Sequence, residues 1–163
     1  MNAHDVLMYG HFTLIGSIDG LTPENATVPG ACGVWSIKQL IDHLGAYEAV
    51  FADVLATELG ATATPRLDRF LELGDRFNDM TVAERDDLTF DQSVAAYTTC
   101  YEDAMSSLSR ITPELLRESG ALPWYGLEYA LDDLIVYQQY GHKREHAGQI
   151  GVFRGDMGFL ERV

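Results

Sequence analysis

The sequence predicts an all-α protein, a four-helix bundle with a long crossover between its second and third helices. Four long stretches carry apolar residues at helical spacing, and two of them open on capping boxes. Convincing strand patterns are few, and no internal repeat is present. At 163 residues the chain suits one domain, residues 1–163, able to bury roughly 70% of its unfolded surface.

The first helix is predicted over about His4 to Ser17, with Val6, Leu7, Tyr9, Phe12, Leu14 and Ile15 supplying apolar surface, and it ends near Gly20. A loop rich in Gly and Pro, Thr22 to Gly33, follows, because Pro23 and Pro29 do not suit a helix interior. The second helix has the best-marked start. Ser36 as N-cap and Gln39 at N3 make a capping box, and Trp35 and Leu40 form a hydrophobic staple across it. The helix runs through Ile41, Leu44, Val50, Phe51 and Leu55 to about Leu59, where Gly60 stops it.

Residues 60–92 form the crossover. Thr62 to Pro65 is expected as a loop and Arg66 to Asn78 as a short helix or an irregular arm. A structureless connection of this length is unusual, so it is expected to pack on the bundle or shape a site. The third helix spans Phe90 to Arg110, with Thr89 and Gln92 as a second capping box. Thr112-Pro113-Glu114 opens a short helix with Pro at its favoured first position. A turn at Pro123, Trp124, Tyr125 and Gly126 leads into the last helix, about Leu127 to Arg154, closed by Gly155. The crossover argues against up-down-up-down wiring.

Apolar residues make up 47% of the chain and charged residues 22%, as in an ordinary globular domain. With 25 acidic against 11 basic side chains the formal charge is −14. Phosphate backbones and anionic lipid surfaces would be repelled, so neither nucleic acid nor membrane is an expected partner. The longest apolar stretches are broken well short of the ~20 residues that span a bilayer. Met1 to Gly10 lacks a signal-peptide layout, which makes the cytoplasm the expected location. Cys32 and Cys100 stand far apart in no metal-binding pattern and are expected as buried, reduced thiols.

The chemistry is expected in the last helix. His142 and His146, at i and i+4, lie one turn apart on one face, where two imidazoles can converge on one cation. Continuing that face gives Leu131, Ile135, Gln138, Gln149 and Phe153, so the histidines interrupt a largely apolar stripe. A metal is one way to satisfy imidazoles buried there. A third ligand must come from elsewhere. His43 is the natural candidate, in the middle of the second helix on the face of Gln39, Leu40, Tyr47, Val50 and Val54. His4 and His11 lie near the N-terminus, and His11 reaches inward only for a suitable rotation of its helix. The alternatives for the pair are a solvated surface pair or a hydrogen-bonded core pair. The same segment also reads as H-x-x-E-H, a zinc-peptidase signature with Glu145 as base. That reading is set aside, because such peptidases need a further ligand well downstream and the sequence ends at Val163.

Two segments resemble the DinB-like metal-binding bundles, a superfamily that includes the N-terminal domains of mycothiol-dependent isomerases such as maleylpyruvate isomerase. Trp35-Ser36 followed by His43-Leu44 is similar to the family's motif at the second helix, and His142-x-x-x-His146-Ala-Gly-Gln-Ile to its motif in the last. Phe77-Asn78 in the crossover is similar as well. The resemblance implies a bundle with nonconsecutive packing, one divalent metal ion, zinc or nickel, held by His43, His142 and His146, and a homodimer. Many relatives have His where this chain has Glu145, a position off the ligand face.

Three neutral imidazoles would leave such an ion with open positions and its full charge, able to lower the pKa of bound water toward ~7 or to bind a thiolate. Characterised relatives include thiol-dependent transferases and isomerases and a few hydrolases. The expected function is therefore a metal-dependent enzyme, a thiol S-transferase or a hydrolase acting on a small electrophile, with a low-molecular-weight thiol as a possible co-substrate. The alternative is a non-catalytic, metal-stabilised binding or stress protein. Tyr47, Trp124, Tyr125 and Gln138 are the candidate pocket residues, the aromatics competing with a plain core role. The sequence does not name a general base; Tyr47 and Glu145 are the catalytic candidates, each placed to hydrogen-bond a metal-held ligand.

Overall fold

The computed structural model describes residues 2–159, so the single-domain reading of residues 1–163 extends at both ends beyond the described residues. Helix α1, Ala3–Ile18, starts where Asn2 Oδ1 accepts from the Asp5 N–H at 3.4 Å, and it buries Leu7, Gly10, His11, Leu14 and Ile18. The expected loop after it contains a short helix α2, Pro23–Ala26, and an antiparallel ribbon of β1, Pro29–Cys32, and β2, Trp35–Ser36. Strands of two and four residues are too short to show alternation in sequence. Gly33, at φ +59°, makes the turn between them.

The ribbon delivers Ser36 to the N-cap of α3, Ile37–Glu58, and both halves of the capping box form. The Gln39 N–H donates to Ser36 Oγ (3.3 Å) and the Ser36 N–H to Gln39 Oε1 (2.9 Å). Helix α3 is buried on nearly every side, with Ile37, Leu40, Ile41, Leu44, Phe51 and Leu55 almost fully covered. It is the central strut, and it buries Lys38, Asp42, His43, Glu48 and Asp53 along with its apolar residues.

The crossover packs on α3 as two helices rather than one arm. Helix α4, Pro65–Leu73, opens on Pro65, which the sequence places in a loop, and Gly74 (φ +52°) breaks it. A 3₁₀ turn, Gly74–Arg76, leads into α5, Phe77–Ala83. The cap of α4 comes from α3. Asp53 Oδ2 accepts from the Arg66 and Leu67 N–H groups at 2.7 and 3.2 Å, and its Oδ1 accepts from Arg66 Nε at 2.8 Å. Helix α6, Phe90–Leu108, carries the expected capping box and ends two residues before Arg110. Helix α7 is Pro113–Leu116.

The last helix departs most from expectation. Leu127 is exposed, and Tyr129 spends its carbonyl on the Gly120 N–H (3.1 Å), so the chain stays irregular to Ala130. Asp133 Oδ2 then accepts from the Ala130 N–H at 2.9 Å and starts α8, Leu131–Leu134. A π-helical segment, Ile135–Gly141, joins it to α9, His142–Asp156, which runs through Gly155 rather than stopping there.

Packing follows two pairs. Asp42 faces Ser93 and Gly45 lies against Tyr97, so α3 and α6 run parallel, as the long crossover allows. Gly10 lies against Tyr140, and farther along Arg154 donates to the carbonyls of Ser17 (2.5 Å) and Asp19 (2.8 Å), so α1 and the last helix are parallel too. The second contact satisfies terminal carbonyls of α1 with a cation. Among the described residues no helix is long and apolar enough to cross a membrane.

Candidate metal centre

His43 projects from the middle of α3, while His142 and His146 occupy the first two turns of α9. His142 Nε2 lies 2.9 Å from His43 Nε2 and 3.0 Å from His146 Nε2. All three rings therefore turn the same nitrogen toward one point. His43 and His146 are buried and His142 half-buried.

Burial sets the charge state. Desolvation first, then the neighbouring His142 and His146, brings the His43 pKa down to about 3. His142 falls to about 4, again chiefly by desolvation, with His146 and Lys143 adding repulsion. Desolvation lowers His146 as well, against opposing help from Gln149 and Glu145. Three uncharged imidazoles thus meet at neutral pH. The tautomer of His146 follows from its other nitrogen, 2.8 Å from Gln149 Oε1. An amide oxygen only accepts, so Nδ1–H donates and Nε2 keeps its lone pair for the cluster.

Lone pairs of neutral imidazoles gathered at one point fit a divalent ion. Two nitrogens bound tetrahedrally at ~2.0–2.1 Å stand about 3.3 Å apart, close to the spacings here. His43 Nδ1 and His142 Nδ1 are buried without a hydrogen-bond partner among the described residues, so Gln149 alone orients a ligand ring by hydrogen bonding. Aromatic packing orients the others. The Trp35 ring lies 5.2 Å from His43, and the Tyr47 ring meets His43 and His142 edgewise at 5.0 and 4.9 Å.

Tyr47 is held in turn by the crossover, its hydroxyl donating to Asn78 Oδ1 at 3.1 Å. Tyr47 also walls a cavity of about 50 Å³, lined besides by Val50, Phe70, Trp124, Tyr125 and Gln138. The four candidate pocket residues therefore line one space next to the triad.

Other expectations need correction. The face through Gln138, Gln149 and Phe153 is only half-buried. The π segment adds a residue per turn, and the inward stripe runs through Leu131, Ile135, Gln139, Lys143, His146 and Ile150. Glu145 is exposed. His11 turns inward but joins a different group, with Nδ1 3.2 Å from Tyr97 Oη and its ring stacked on Tyr101 at 3.8 Å. Cys32 and Cys100 are free, and half-buried rather than buried. Sequence reasoning missed Glu48 and Lys143, an ion pair inside the bundle, since neither stands in a pattern that marks it.

A model of the DinB superfamily matches residues 13–150, a span holding all three histidines. The chain belongs to the DinB superfamily. Among solved structures, an uncharacterised protein from Escherichia coli UTI89 is similar in fold, with a TM-score of 0.72 over 94% of this chain and 91% of that one at 15% identity. No curated protein matches the sequence.

Proposed function

We propose that the protein holds one divalent ion, zinc or nickel, on His43, His142 and His146 and acts with it on a small electrophilic molecule, by thiol S-transfer or by hydrolysis. The convergence of three neutral Nε2 atoms from two helices carries this reading. An ion bound there supplies Lewis acidity that favours the ionised form of a water or thiol at neutral pH.

The chain's own residues support the rest. The imidazoles add no charge, and Gln149 fixes the His146 ring. Burial raises the Tyr47 pKa, so its hydroxyl keeps its proton at neutral pH and serves to orient a ligand rather than to take a proton. Glu145, exposed on α9, is the weaker candidate for that role. The cavity lining contains aromatic and aliphatic groups with the amides of Gln138 and Gln139 and no charged side chain, which favours an uncharged, apolar part of the substrate.

Elemental analysis of protein grown with zinc and nickel tests the first half. Wild type should carry close to one equivalent and His146→Ala almost none, and a wild type without metal sinks the reading. Assays of electrophiles with low-molecular-weight thiols, and for hydrolysis, test the second half. Bound metal without turnover would make this a non-catalytic binding protein.

A further inference from the structure

Glu48 is fully buried and Lys143 is 1% exposed, and the two form an ion pair in the middle of the bundle. Apart from Lys143 itself, neither Glu48 carboxylate oxygen has a hydrogen-bond partner among the described residues. The Lys143 ammonium also lies near the rings of Tyr97 and Tyr101, with centroids 5.8 and 5.6 Å away. Taking two charges so far out of water contributes little to stability, and apolar residues of similar volume commonly serve as well or better. The pair therefore asks for a role other than stability.

Its position supplies one. Glu48 lies on α3 five residues after His43, and Lys143 directly follows His142 on α9. The pair thus joins the same two helices that the histidine triad joins. Directly before it runs the π segment, which ends where the His142 N–H donates to the Tyr137 carbonyl. A π segment holds one residue more than regular helix, and losing or moving that residue rotates everything downstream by about 100°. Such a rotation would turn His142 and His146 away from His43. Lys143 is the first fully buried side chain after the segment. Its stem lies under Gly10 of α1, where a Cβ would come within 3.3 Å of Lys143 Cδ and 3.1 Å of the Gln139 carbonyl oxygen. Glycine at that position lets α1 close over the π segment and enclose the lysine.

We propose that Glu48 and Lys143 are positioning residues for the triad: their buried pairing fixes the rotation of α9 against α3, so that His142 and His146 face His43 before any ion arrives. This rests on the reading of the triad as a metal site. Co(II) is the probe, because its visible absorption reports ligand geometry. The apolar double variant Glu48→Leu/Lys143→Met should fold and, without metal, melt no lower than wild type. It should bind Co(II) about tenfold or more weakly, with an altered spectrum. A folded double variant with wild-type Co(II) affinity and spectrum overturns the positioning role and leaves the metal reading intact. Wild type that takes up no Co(II) overturns both. Amide exchange on metal-free wild type provides a check that does not depend on the variant folding. Residues 142–147 should already be protected, and free exchange there until Co(II) is added would show that the ion itself sets the helix.

Discussion

The histidines and the amide beside them control the site one atom at a time. His43, His142 and His11 are held at pKa values of about 3, 4 and 4 against an ordinary 6.5, in each case chiefly by desolvation. Between those values and 6.5 the unfolded chain binds protons that the folded chain does not. Above pH 6.5 they cost metal-free stability nothing, and stability is lost as pH falls from 6.5 to about 4 for His142 and His11 and to about 3 for His43. In NMR titrations of the metal-free protein the ring signals of these three histidines should stay still from pH 8 to pH 5. A midpoint near 6.5 for any of them would show it charged and solvated. Gln149→Ala removes the acceptor of His146 Nδ1–H and should weaken metal binding about 10-fold, read by competition with a chelator. The triad was legible in the sequence because i, i+4 spacing fixes two histidines on one helix, His43 interrupts an apolar face on another, and above all because both segments resemble the DinB-like motifs. The buried stripe around it was not legible, because it depends on one extra residue in the helix.

Helix starts in this protein are of two kinds, and they differ in how far the chain reaches to make them. Ser36 with Gln39 and Thr89 with Gln92 act across three residues, so both capping boxes can be read directly from sequence. Asp53 caps α4 from thirteen residues away on another helix, and nothing local announces it. The two should respond differently to truncation. Ser36→Ala is expected to cost about 1 kcal/mol. Asp53→Ala strands two backbone N–H groups and the Arg66 side chain near a buried position, and is expected to cost about 2–3 kcal/mol. Urea denaturation of metal-free protein measures both, and equal losses would mean that α4 does not depend on its borrowed cap. The π segment was likewise hidden. Residues 135–141 carry the apolar spacing of a plain helix, and the departure fits around Gly10 of a helix far away in sequence.

At the scale of the molecule, the all-α class, the order of helices and the crossover were all legible, since each rests on local periodicity and loop length. Which helices are neighbours was not, beyond the expectation that the wiring is not simply alternating. Both close pairs are parallel, and the histidine triad lies between members of different pairs, α3 and α9. An ion there should clamp the pairs together. At a free-metal concentration 100-fold above Kd the linkage is ~2.7 kcal/mol, so a chelator should lower the melting temperature by roughly 5–10 °C. His146→Ala should melt at one temperature with or without chelator.

The pairing of α1 with α9 also sets an order of events. Ser17 and Arg154 are 137 residues apart in the chain, so closing that contact is slow compared with forming any single helix. While the chain emerges from the ribosome, Leu14 and Ile18 have no α9 to cover them, and His43 waits alone for the two histidines that are synthesised last. Under the proposed function, cation capture would then be a closing step of biogenesis, and a chain interrupted before Lys143 has neither a lid for its first helix nor the complete histidine cluster.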